Sequence, residues 1–237
     1  MPSRFDPDFG IIEFNYSKRA KNINVRILKD KLVVSLPPNS SEEKALQFIN
    51  SVRPRILKKQ EKVKDNEQKA QTLLTDESGL QTLTFSVKLK SAERTNIFIS
   101  LQQGVLTIEY PQGTDVADEA IQSKFWEGIK YFLKKEAKRV LPGRTKYLAD
   151  KYGFSFSSVK IQSSKSRWGS CSQGENINLS FYLMLLPQHL VDYVILHELC
   201  HTREMNHSPK FWQWMDKVTD GQSKKLRAEV KSFHIPR

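Results

Sequence analysis

The chain has 237 residues, of which 38% are hydrophobic, and a formal net charge of +12. That length and apolar content suit one to two globular domains with a sizeable core. No apolar run approaches the roughly 20 residues that cross a bilayer, and the opening Met-Pro-Ser-Arg-Phe-Asp-Pro lacks the apolar stretch of a signal peptide. A soluble, cytoplasmic protein with no membrane partner is therefore expected, and its two cysteines, Cys171 and Cys200, make no disulfide framework.

In chain order, the first signal is a tight β-hairpin carrying Ile23, Val25, Ile27, Leu32, Val34, Leu36 and Pro37, with a turn at Lys29-Asp30-Lys31. A helix follows from Ser40-Ser41-Glu42-Glu43 to about Lys62, with Pro54 as a kink. The polar stretch Lys62 to Ser78 reads as a helix extension or a flexible linker, and it marks a boundary between residues 1–78 and 79–237. An offset of 74 positions then aligns Ile97, Ile99, Leu101, Leu106, Ile108, Tyr110 and Pro111 with the first hairpin without gaps. This second hairpin turns at Gln102-Gln103-Gly104, and a helix runs from near Asp115 to Pro142, so a duplicated hairpin-plus-helix unit is expected. A short helix from Arg144 to Tyr152, closed by Gly153, and a strand through Val159 and Ile161 come next. Arg167 to Ser170 and Ile177 to Phe181 form another hairpin about the turn Ser172 to Asn176.

The strongest chemical signal lies in Tyr193 to His207, where His197, Glu198 and His201 stand in the order H-E-x-x-H. Residues four apart share a helix face, so the two imidazoles can grip one metal ion, with Glu198 beside them to reach water. With five histidines in the chain, the string arises by accident on the order of one time in a hundred or less. The apolar run Leu190, Val191, Val194, Ile195 and Leu196 gives it a buried helix. Cys200 beside the ligand face reads as a small buried hydrophobe rather than a ligand, and Cys171 as packed in the hairpin.

Catalytic zinc takes three protein ligands and keeps one open position. His207 is the expected third ligand because Ser208-Pro209 reads as the cap and first position of a new helix, so a short reversal suffices. Glu204, Glu229, His189 and His234 compete, with Glu229 on a helix predicted near Gln222 to Phe233. Three neutral imidazoles leave Zn2+ its full charge and so draw the pKa of water held there toward ~7; Glu198 is the expected general base, and peptide bonds are the expected substrate.

The segments Ser166-Arg-Trp-Gly-Ser-Cys-Ser, Ile177-Asn-Leu-Ser, Leu186-Pro, Asp192-Tyr-Val-Ile-Leu-His-Glu-Leu-Cys-His and Asn206-His-Ser-Pro-Lys-Phe-Trp resemble the YgjP-like metallopeptidases. The likeness is dense from about Tyr131 to Phe233 and more distantly extends to SprT-like and WLM proteases, which act near DNA. It implies zinc on His197, His201 and His207 and catalysis by Glu198. The element order suits an α+β class with a zincin-like catalytic core at about residues 131–237, carrying a mostly antiparallel sheet next to the active helix. In zincins such an edge strand pairs with extended substrate, so Arg167 or Trp168 contacts the peptide; alternatively Trp168 packs under the helix and Arg167 pairs with a carboxylate. Arg167, Tyr182 and Tyr193 are the candidate oxyanion stabilisers.

The positive charge clusters at Lys58-Lys59, Lys134-Lys135, Lys138-Arg139 and Lys224-Lys225. It fits either a solvated face or non-specific association with nucleic acid, for which Trp126, Tyr131, Trp212 and Trp214 are candidate stacking surfaces. A nucleic-acid-associated protein with a structural or inactive zinc site is thus an alternative to a peptidase. An amide hydrolase acting on a non-peptide substrate is another.

Overall fold

A computed structural model describes residues 2–28, 30–70, 73–75 and 79–233, the side chains of 62–70 excepted. Lys29 of the first predicted turn and His234 among the competing ligands lie outside the described residues, as does part of the Lys62 to Ser78 stretch. The chain divides into two compact units, Met1–Gln71 and Thr72–Ile235. Six α-helices and three sheets are found among the described residues, an α+β architecture. No helix among them is long and apolar enough to cross a membrane.

The first unit holds strands β1 (Ser3–Asp6), β2 (Gly10–Tyr16), β3 (Asn24–Ile27) and β4 (Lys31–Leu36), then helices α1 (Glu42–Ser51) and α2 (Arg53–Ala70). Every second residue of β4 is buried, so Leu32, Val34 and Leu36 face Ala45, Ile49 and Ile56 in one core. Ser41 caps α1 by accepting from the Lys44 amide, and the helix breaks at Val52, two residues before Pro54. Proline lacks an amide hydrogen and suits the first turn of a new helix, so the predicted kink is a helix start. The polar stretch after Lys62 is helical as far as Ala70.

In the second unit, β5 (Ser86–Ala92), β6 (Phe98–Gln102) and β7 (Val105–Pro111) precede helix α3 (Glu119–Tyr152). Strand β8 (Ser158–Gln162), β9 (Gly169–Cys171), β10 (Asn176–Ser180) and a 3-10 turn at Phe181–Leu185 lead to α4 (Gln188–Cys200), α5 (Pro209–Val218) and α6 (Ser223–Ser232). Asp118 caps α3, accepting from the amides of Ala120 and Ile121. Contrary to the two helices expected around Pro142, α3 runs unbroken for 34 residues and ends at Gly153, whose φ is 71°. Proline costs a hydrogen bond in a helix interior. Leu141, Thr145, Leu148 and Ala149 are all buried next to it, and their packing outweighs that loss.

The two hairpins repeat in register. Val25 pairs with Val34 and Ile27 with Leu32, while Ile99 pairs with Ile108 and Leu101 with Leu106. Each gains a parallel strand unforeseen from sequence, β2 on β4 through Ile12 opposite Leu32 and β5 on β7 through Val87 opposite Leu106. The sheet next to α4 has the same order, with β10 central, β8 parallel to it and β9 antiparallel. It is therefore mixed rather than mostly antiparallel. Alternating hydrophobicity marks a strand but carries no direction, and the 163–168 loop returns the chain so that β8 and β10 run the same way.

Candidate metal centre

Helix α4 is buried on nearly every face, with Leu190, Val191, Val194, Ile195, Leu196 and Leu199 in the core. A bidentate ion pair fastens it to α3, the Arg144 Nε and Nη2 atoms donating to the two carboxylate oxygens of Asp192 at 2.7 and 2.6 Å. His197 and Glu198 lie in its last turns, and His201 is its C-cap with φ −68° and ψ −17°. Thr202 and Arg203 then bend the chain, their backbone amides donating to the Leu199 and Cys200 carbonyls. Ser208 caps α5 by accepting from the Phe211 amide, with Pro209 in the first turn.

This reversal brings His207 back over α4. Its Nε2 stands 3.1 Å from Nε2 of His197, and donor atoms of His197, His201 and His207 all lie within 4.8 Å of one another. Two of the other candidates, Glu229 and His189, engage each other. Glu229 is 2.7 Å from Nε2 of His189, and Glu204 takes part through its backbone carbonyl, which accepts from Nδ1 of His201 at 3.0 Å. That bond places the proton on Nδ1 and leaves the Nε2 lone pair of His201 free to ligate.

Two aromatic residues shape the cluster in a way that the histidine spacing alone does not mark. Phe211 is fully buried, with ring centroids 4.9, 4.5 and 4.8 Å from those of His197, His201 and His207. Trp212 stacks on His207 at 5.9 Å, and the Arg227 guanidinium covers its ring at 4.8 Å. The Phe-Trp pair after His-Ser-Pro carried the signal, since at the start of an amphipathic helix such residues face whatever the cap positions. The other expected stacking surfaces are largely occupied. Trp126 is buried, and Arg203 and Lys217 lie over Trp214, whereas Tyr131 is exposed.

Glu198 is 5% exposed. It shares a cleft of about 240 Å³ with His197, Arg167, Trp168, Tyr193 and Arg227. Edge strand β9 forms one wall, and Gly169 faces the carboxylate so closely that an added Cβ would lie 2.6 Å from Oε1. Of the three oxyanion candidates, Arg167 and Tyr193 line the cleft, while Tyr182 is buried against Phe181. Arg167 makes no ion pair with a carboxylate among the described residues, and Trp168 both lines the cleft and packs on the core. Cys200 is fully buried and Cys171 half-buried, and burial pushes their thiols up to about 12 and about 11.

The donor set fits a divalent transition metal. Two imidazole nitrogens sharing one tetrahedral ion at about 2.0–2.1 Å stand roughly 3.3 Å apart, close to the 3.1 Å between His197 and His207. Burial, with help from the neighbouring His201, His207 and Arg227, pushes His197 down to about 3, so its ring is neutral near pH 7 and keeps a lone pair to donate. The same desolvation pushes Glu198 up to about 8 against the opposing field of Arg167. Ionised Glu198 near pH 7 therefore calls for a further cation close by.

No curated protein matches the chain. Among solved structures, the metallopeptidase zymogen abylysin of Pyrococcus abyssi is 23% identical over 38% of this chain and 90% of its own, with a TM-score of 0.35. Jannalysin of Methanocaldococcus jannaschii, also a metallopeptidase zymogen, is 20% identical over 38% of this chain and 91% of its own, with a TM-score of 0.34. A family model described as the YgjP-like metallopeptidase domain matches residues 21–233, and the chain belongs to that YgjP-like metallopeptidase family.

Proposed function

We propose that this protein is a zinc-dependent peptidase in which His197, His201 and His207 hold the metal and Glu198 is the general base. The observation that carries this reading is the convergence of three imidazoles beside one buried carboxylate at the head of a cleft. Zinc, when bound, supplies a Lewis acid that polarises the scissile carbonyl and acidifies water. Glu198 takes the proton from water as it attacks the carbonyl carbon and delivers it to the departing amine nitrogen. Trp168 and Tyr193 exclude bulk water from one side of the reacting bond, and edge strand β9 offers backbone groups to an extended peptide.

Support for a zincin-like arrangement of the catalytic core comes from α4 lying against β9 with the third imidazole supplied by the following turn. The matching register of the two hairpins supports a duplicated hairpin-plus-helix unit. Unpaired Cys171 and Cys200 support a reducing, cytoplasmic setting. Nucleic-acid association with a structural zinc has weaker support, resting on the exposed lysines of α3; a structural site has no use for a buried carboxylate and closes with a fourth Cys or His.

The test is Glu198→Gln. The variant is expected to bind one zinc, measured by mass spectrometry, while its hydrolysis of a casein mixture falls by 10²-fold or more. Undiminished hydrolysis would remove Glu198 from the reaction.

A further inference from the structure

The cleft beside the three imidazoles carries positive charge that the reaction does not use. Arg227 and Lys231 stand four residues apart on α6, hence on one face, and both line the cleft, as does Arg167. Glu198 is the one carboxylate lining it, and it is buried. None of Arg167, Arg227 and Lys231 forms an ion pair with a carboxylate among the described residues, although eight other ion pairs occur there. The Arg227 guanidinium also lies over the ring of Trp212, 4.8 Å from its centroid, and Trp212 itself stacks on His207. A guanidinium over an aromatic ring that forms no ion pair can still offer two N–H groups to a planar, two-oxygen partner. Between the cations the walls are apolar, with Trp168, Val194 and Val230.

We infer that this cleft selects substrates carrying a carboxylate close to the scissile bond, with Arg227 and Lys231 as its specificity-determining residues. The inference rests on the peptidase reading. Such a carboxylate belongs either to an Asp or Glu side chain or to a free C-terminus; the chemistry that recognises it is the same. The three cations are exposed, but beside the apolar walls of the cleft an unpaired cation still attracts its counter-charge, and a basic substrate side chain is repelled. The general surface charge of +12 attracts acidic peptides too, but without fixing a position relative to the cut.

The experiment uses the full chain loaded with zinc and a set of otherwise identical peptides bearing Glu, Gln or Lys at each position around one cleavable bond, with free or amidated C-termini. The expected result is a kcat/KM at least tenfold higher for a carboxylate at one fixed position than for its neutral counterpart. The free-acid and side-chain arms tell which source the cleft accepts. Arg227→Gln and Lys231→Gln each cut that ratio threefold or more, and Arg227→Glu turns the preference toward Lys. Lys134→Gln with Lys138→Gln, on α3 away from the cleft lining, leaves the ratio intact. Equal cleavage of Glu, Gln and Lys peptides, or a ratio unmoved by Arg227→Gln, overturns the inference alone. Zinc-loaded protein that cleaves none of the peptides overturns the peptidase reading and the inference with it.

Discussion

Gly169 of β9 lies against Glu198 of α4 so tightly that a methyl group in place of its hydrogen would meet Oε1 at 2.6 Å and Cγ at 2.8 Å. Contact that close cannot be absorbed without moving the carboxylate or parting strand from helix. A general base displaced by about 1 Å loses on the order of 10²-fold in rate. Gly169→Ala is thus expected to lower kcat/KM by about that factor while zinc content stays near that of the wild type. Paired measurements of peptide hydrolysis and metal stoichiometry check this; wild-type activity in Gly169→Ala would show that the contact sets no geometry.

Phe211 is the common support of the three imidazoles. Removing a fully buried ring costs about 3–5 kcal/mol, and loss of a group that orients ligands weakens metal binding about 10–100-fold. Phe211→Ala should therefore lose stability in urea denaturation and require more zinc to reach saturation, with Phe211→Leu intermediate in both.

The Arg144–Asp192 pair fixes α4 to α3 by two short charge-assisted bonds. Its side chains keep 33% and 20% exposure, which discounts their attraction, so Arg144→Ala should cost about 1–2 kcal/mol by chemical denaturation. Lysine cannot reproduce a two-pronged contact, and Arg144→Lys is expected to recover less than half of that loss.

Burial raises Glu198 from 4.5 to about 8. In chelator-treated protein its contribution to stability is fully present below pH 4.5 and is lost as pH rises toward 8, because the unfolded chain ionises this group first. Glu198→Gln has no such loss. The melting temperature of the metal-free variant should exceed that of metal-free wild type by a margin that widens from pH 5 to pH 8. A constant margin would mean that Glu198 is not desolvated as described.

Much of this arrangement is legible in the chain because local signals report it. Apolar periodicity and the cap at Ser208-Pro209 mark α4 and α5, and the repeated Ile/Val/Leu pattern marks both hairpins. Strands β2 and β5 escape notice because parallel pairing is long-range and leaves no spacing rule between partners. Pro142 misleads for a related reason, since its local cost is visible in sequence while the burial of Leu141 and Leu148 is not. At the site, the histidines declare themselves by spacing. Arg227 does not, because a lysine- and arginine-rich helix looks solvated until packing turns one face, Arg227 with Val230 and Lys231, toward the cleft.

Metal stoichiometry of purified, zinc-repleted wild type beside His207→Ala and Glu229→Ala bears most directly on the three-imidazole centre. About one zinc per chain is expected in wild type and in Glu229→Ala, with His207→Ala losing most of it. Zinc retained by His207→Ala and lost from Glu229→Ala would contradict the account and move the third ligand to α6.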